Sequence, residues 1–64
     1  MPVVPVDVYD KDGNLIKIEF YNQLGGFEFE ALWDHNDAQT SEKRKEFREW
    51  CVRMAKNMKF DVQT

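Results

Sequence analysis

Val3-Val4-Pro5-Val6-Asp7-Val8-Tyr9-Asp10-Lys11-Asp12-Gly13-Asn14-Leu15-Ile16-Lys17-Ile18-Glu19-Phe20 is two alternating runs on either side of a polar turn. Apolar, β-branched residues recurring at every second position mark half-buried strands. Asp10-Lys11-Asp12-Gly13 fits a type I turn followed by a glycine in the left-handed region, the three-residue hairpin loop that ends in a G1 bulge. Counting outward from an Asp10–Asn14 pair sets Tyr9 against Leu15, Val8 against Ile16, Asp7 against Lys17, Val6 against Ile18 and Val4 against Phe20. In that register Val4, Val6 and Val8 face the core and Asp7 meets an opposite charge on the other side. A slip of one residue would exchange the two faces. Pro5 has no N–H to give a ladder, so the first strand belongs at an edge.

Working outward, Asn22-Gln23-Leu24-Gly25-Gly26 is a second turn, and Phe27 to Trp33 alternates again with Phe27, Phe29, Ala31 and Trp33 inward. Pairing Tyr21 with Gly26 would set Phe20 against Phe27, Ile18 against Phe29, Lys17 against Glu30 and, less favourably, Glu19 against Glu28. A helix is expected from about Thr40 to Met58, with Phe47, Trp50, Cys51, Met54, Ala55 and Met58 as its apolar stripe. Asn36 with Gln39 reads as a capping box, and Thr40 and Ser41 are rival N-caps. Lys59-Phe60-Asp61-Val62 alternates and suits a short last strand. The chain therefore reads as a single α+β domain over residues 1–64. It is a three-stranded antiparallel β-meander with one amphipathic helix on one face and a short C-terminal fourth strand.

At 64 residues the chain is near the lower limit for burying a sufficient core without staples. One cysteine precludes an intrachain disulfide and a thiolate-only metal site. Nine basic against twelve acidic side chains give a net charge of −3, which repels polyanions at long range. A hydrophobic share of 42% argues for a folded chain. With no apolar run long enough to span a bilayer and no secretory pattern at the start, a soluble cytoplasmic protein is expected.

Asp10-Lys11-Asp12-Gly13-Asn14 has the look of the start of a calcium-binding loop. The obligatory glycine at the sixth position would be Leu15, however, and the bidentate glutamate at the twelfth would be Tyr21. Asp34, His35 and Asp37 offer three metal-ligating or acid–base groups, but one histidine leaves a zinc site short of its usual nitrogen ligands, and helix capping accounts for these residue types. Cys51 lies in the apolar stripe as a structural thiol. Gly25-Gly26 lacks the spacing of a phosphate-binding loop. Lys43, Arg44, Lys45 and Arg48 are interleaved with Glu42, Glu46 and Glu49, the pattern of a solvated, salt-bridged surface. No catalytic, cofactor or metal site is expected.

Pro2 is the exception to weigh. Once Met1 is removed, its secondary amine becomes an N-terminal base, and in this the chain resembles the oxalocrotonate-type tautomerases, which are similar in length and carry such a proline on a first strand. In that family a helix follows the first strand, where here a turn leads to a second strand, so only Pro2 carries over.

The remaining signal is the sheet face away from the helix. In the counted register Tyr9, Leu15 and Leu32 line up across three strands, and Val3 and Tyr21 form a second apolar pair, with Asp7, Lys17 and Glu30 between. A sheet face that meets only water should be polar. These five residues are the expected protein-binding surface. The expected function is a small non-enzymatic protein-interaction module, a regulator or inhibitor of a protein partner or a homo-oligomer. In kind it is similar to the small accessory proteins of bacteriophages and mobile elements. The alternatives are a single-stranded nucleic-acid-binding module and a tautomerase-like enzyme using Pro2.

Overall fold

In the computed structural model, which describes residues 1–63, the two hairpin turns are built alike. The Asp10 carboxylate Oδ1 accepts from the N–H groups of Asp12 and Asn14, both at 2.9 Å. Asp10 N–H donates to the Asn14 carbonyl at 2.9 Å and Gly13 N–H to the Asp10 carbonyl at 3.1 Å. In the second turn Asn22 Oδ1 takes the same role, accepting from Leu24 and Gly26 N–H at 2.9 Å. Asn22 N–H donates to the Gly26 carbonyl at 2.8 Å and Gly25 N–H to Asn22 at 3.0 Å. Gly13 and Gly25 sit at φ of +83° and +85°, the left-handed position such a turn demands.

These turns join β1 (Pro2–Tyr9), β2 (Leu15–Asn22) and β3 (Phe27–Leu32) into an antiparallel meander. Helix α1 (Ser41–Asn57) follows, then β4 (Asp61–Val62), which pairs parallel to the start of β1. The sheet order is β3-β2-β1-β4. The α+β class and the meander agree with the sequence reading, and the fourth strand forms.

The registers differ from the counted ones by a recurrent bulge and, in the second hairpin, also by the turn, which pairs Gly26 with Asn22 where Tyr21 was expected. Tyr9 pairs with Leu15 as expected, but Val8 then pairs with Lys17, so Ile16 is an inserted residue. In the second hairpin Tyr21 pairs with Phe27 and Phe20 with Phe29, leaving Glu28 inserted at the equivalent place. Each bulge resets the alternation. On β2 it allows Leu15, Ile18 and Phe20 all to face inward, at 1%, 1% and 0% exposure, although an unbroken strand would put Leu15 opposite to the other two. On β1 the consequence is a reversal of faces. Val3 is buried, whereas Val4 and Val6 are exposed. The expected inward set Val4, Val6 and Val8 is thus wrong, and Asp7 pairs across from Ile18 rather than Lys17.

The core is centred on Val3, Ile18, Phe20, Cys51 and Ala55, with Phe29, Phe47, Phe60 and Val62 packed around them, and Leu15 and Trp33 are buried as well. Phe20 and Phe29 stack with centroids 4.4 Å apart, the cross-strand pair that replaces the expected Phe20–Phe27 contact. Trp33 packs edge-on against Phe47 at 5.1 Å.

Thr40 is the N-cap of α1, its hydroxyl accepting from Lys43 N–H at 3.1 Å. Gln39, the other half of the expected capping box, is used elsewhere. Its side-chain amide accepts from Leu15 N–H at 3.0 Å and donates to the Leu15 carbonyl at 2.9 Å. Because the Asp10–Asn14 pair is hydrogen-bonded, the next pair turns its peptide groups outward. Those of Leu15 point where β3 has already ended, and Gln39 substitutes for the missing strand. At its other end α1 closes with Phe60 N–H on the Ala55 carbonyl and Lys59 N–H on Lys56, both at 3.0 Å, a Schellman motif with Lys59 at φ +70°.

Candidate protein-binding surface

Helix α1 is rolled toward β1. Arg48 Nε donates to Asp7 Oδ2 at 3.0 Å and its Nη2 bonds both Asp7 and the Tyr9 hydroxyl, tying the middle of the helix to the first strand. Tyr9 itself donates to Asp7 Oδ2 at 3.1 Å. The Asp7 carboxylate beside it raises the Arg48 guanidinium further above its ordinary range. With the helix held there, Cys51 and Ala55 are buried and Val52 is half-buried. Trp50, Met54 and Met58, expected in the core stripe, are instead exposed.

Two surfaces result. The first is the sheet face away from α1. Val4 and Val6 of β1, Phe27 and Leu32 of β3, and the bulge residue Ile16 are exposed large apolar side chains, Leu32 the most at 70%. Tyr21 lies on this face, edge-on to Phe27 at 5.9 Å, and donates its hydroxyl to Glu19 at 2.9 Å. At the centre Lys17 Nζ sits 3.2 Å from Glu19 and 3.1 Å from Glu30. The two carboxylates, Glu30 first, raise the Lys17 pKa above its usual value, and the hydrogen bond to Glu19 holds the Tyr21 proton in the same way.

The second surface is a groove of about 420 Å³ beside β3, floored by Phe29 and Ala31 and walled by Trp50, Cys51, Met54 and Met58. It exists because the rolled helix leaves the inner face of β3 only partly covered. Sequence periodicity placed those helix residues in the core and so concealed it. The readable signal was a stripe broader than a short helix on a narrow sheet can bury.

Of the five residues expected to bind a partner, Tyr21 and Leu32 lie on the outer face. Val3 and Leu15 are core residues, at 0% and 1% exposure, and Tyr9 is on the helix side with Asp7 and Arg48. The row Tyr9–Leu15–Leu32 is therefore not formed, because the bulge at Ile16 moves its members to opposite faces. Val4 takes the place assigned to Val3, across from Tyr21, and Val6 lies across from Glu19.

Elsewhere, Asp34 Oδ1 accepts from Asn36 N–H at 3.0 Å in a local turn. His35 and Asp37 border a cleft of about 310 Å³ with Asp10, Ile16 and Trp33. Burial pushes the Cys51 thiol up to about 11, as the nearby Asp7 charge also does. Among the described residues no helix is long and apolar enough to cross a membrane. No family model, curated protein or solved structure matches this chain.

Proposed function

We propose that this chain is a small, non-enzymatic protein-interaction module that meets its partner with the sheet face opposite α1. The observation that carries this reading is the outward placement of Val4 and Val6 on β1 and of Phe27 and Leu32 on β3. They stand on either side of Tyr21, Glu19 and Lys17 of β2, on a face that no other layer of the described residues covers. Apolar residues on an uncovered sheet face favour association, since contact removes them from water. The Lys17–Glu19–Glu30 cluster supplies a polar centre already neutralised in part, which orients a partner more than it adds affinity. In this reading the chain acts as an accessory regulator or inhibitor of a cytoplasmic protein, or on a second copy of itself.

The test is a Val6→Lys, Leu32→Lys double variant, with the fold checked by circular dichroism. Association should be lost, read as mass by light scattering and as partner recovered by affinity capture from the natural host. A variant that folds and associates as the parent does would end this reading.

A further inference from the structure

The two edges of the sheet are treated differently. On the β1 side, β4 covers the start of the strand through Asp61 N–H on the Met1 carbonyl and Gln63 N–H on Val3. Beyond β4, Pro5 has no N–H to offer and Asp7 adds a charge, both familiar means of blocking an edge. On the other side β3, Phe-Glu-Phe-Glu-Ala-Leu, ends the sheet with no proline and no lysine, its charges being Glu28 and Glu30, and among the described residues no segment covers it. Trp33 N–H donates to the Ile16 carbonyl at 2.9 Å, so odd-numbered residues here bond β2. By the strand period, Glu30 and Leu32 turn their peptide groups outward.

The groove lies against this same edge. A strand added antiparallel to β3 would place one alternation of side chains beside Phe29 and Ala31, over Trp50, Met54 and Met58. The other alternation would lie on the outer face beside Glu30. We propose that β3 is a docking edge for an extended segment of a partner protein, apolar at alternate positions and Lys or Arg at the positions between. The recognition is by strand addition, in which main-chain bonds bind and alternate pockets select. Thioether and indole walls adapt to different apolar side chains. About a two-fold axis at Glu30, two β3 strands would oppose the Glu30 carboxylates of both copies, and about an axis at Ala31 they would set Glu30 against the apolar Leu32. A basic partner segment therefore suits this edge better than a second copy. This edge borders the face proposed above, has Glu30 and Leu32 in common with it, and rests on the same premise that the chain binds proteins.

The probe is a terminally blocked heptapeptide, Lys-Val-Lys-Leu-Lys-Val-Lys, titrated against the full chain by calorimetry. Two N-methylated forms separate strand addition from simple charge attraction. Methylation at the lysine amides, which would face β3, should weaken binding at least about tenfold, whereas methylation at the valine and leucine amides should be tolerated. Glu30→Lys and Met54→Glu should each weaken it by about tenfold or more, and Val6→Lys should leave it unchanged. Equal binding of the two methylated peptides, or no binding of the parent peptide, overturns the proposal. So does loss of binding in Val6→Lys, which would place the peptide on the outer face. A parent dimer that becomes monomeric in Met54→Glu assigns the edge to a second copy and overturns it as well. Partner association lost in Val6→Lys with peptide binding intact separates the two surfaces.

Discussion

Asp10 and Asn22 perform one task with different chemistry, and the difference is measurable. Each accepts two backbone N–H bonds across its turn, but only Asp10 is charged. The Asn14 N–H is the largest influence holding the Asp10 carboxyl below its ordinary 3.8. A folded pKa below the unfolded one means stability that is present above the unfolded value and is lost as pH falls toward the folded value. The urea midpoint should therefore decline as pH drops from about 5 to about 2, and Asp10→Asn should flatten that decline while keeping the hairpin. An unchanged pH profile in the variant would assign the loss to other carboxylates. Lys59 is the other residue with a local consequence. At φ +70° it occupies the position that a helix C-terminus reserves for glycine. Lys59→Gly should raise stability by about 1 kcal/mol, seen as a higher urea midpoint at the same slope.

Among the elements, the placement of α1 depends on two contacts outside its apolar stripe. Arg48 binds Asp7 and Tyr9 at mid-helix, and Gln39 just before the N-cap clamps Leu15. Gln39→Ala would leave both peptide groups of a buried residue without partners, a loss of about 1–3 kcal/mol. Hydrogen exchange at the Leu15 amide should accelerate together with the fall in urea midpoint. A normal exchange rate there would show that the clamp is replaced by solvent. The strands were more legible than the helix placement. Both turns could be read from glycine and Asx positions, and the second is the first repeated with Asn in place of Asp. The bulges could not, because Ile16 and Glu28 carry no turn signal of their own and their effect lies in which side chains meet across the sheet.

For the whole molecule, a 64-residue chain with one covering helix has little apolar burial to spare, and its single thiol lies within the core. Cys51 is 1% exposed and its thiol is pushed up to about 11, so the reactive thiolate is scarce until the helix leaves the sheet. Labelling by a disulfide reagent near neutral pH should be slow in the native protein, and its rate should track the unfolded population across a urea series. Rapid labelling without urea would reveal a helix that detaches while the sheet persists.

Local order along this chain was determined by its residues alone. Gly13 and Gly25 require positive φ, period-two runs make three strands, and the spacing from Phe47 to Ala55 makes a helix, all through interactions within a few residues. Which face each residue occupies was decided only in the assembled structure. Val3, Pro5, Asp7 and Tyr9 form as regular an alternation as Val4, Val6 and Val8, so local pattern cannot choose between them. The choice came from burying Leu15 with Ile18 and Phe20, and from joining Arg48 to Asp7 across a separation of 41 residues. The same choice set Val4 and Val6 toward solvent and opened the groove beside β3, which is why the candidate binding surfaces had to be read from the fold.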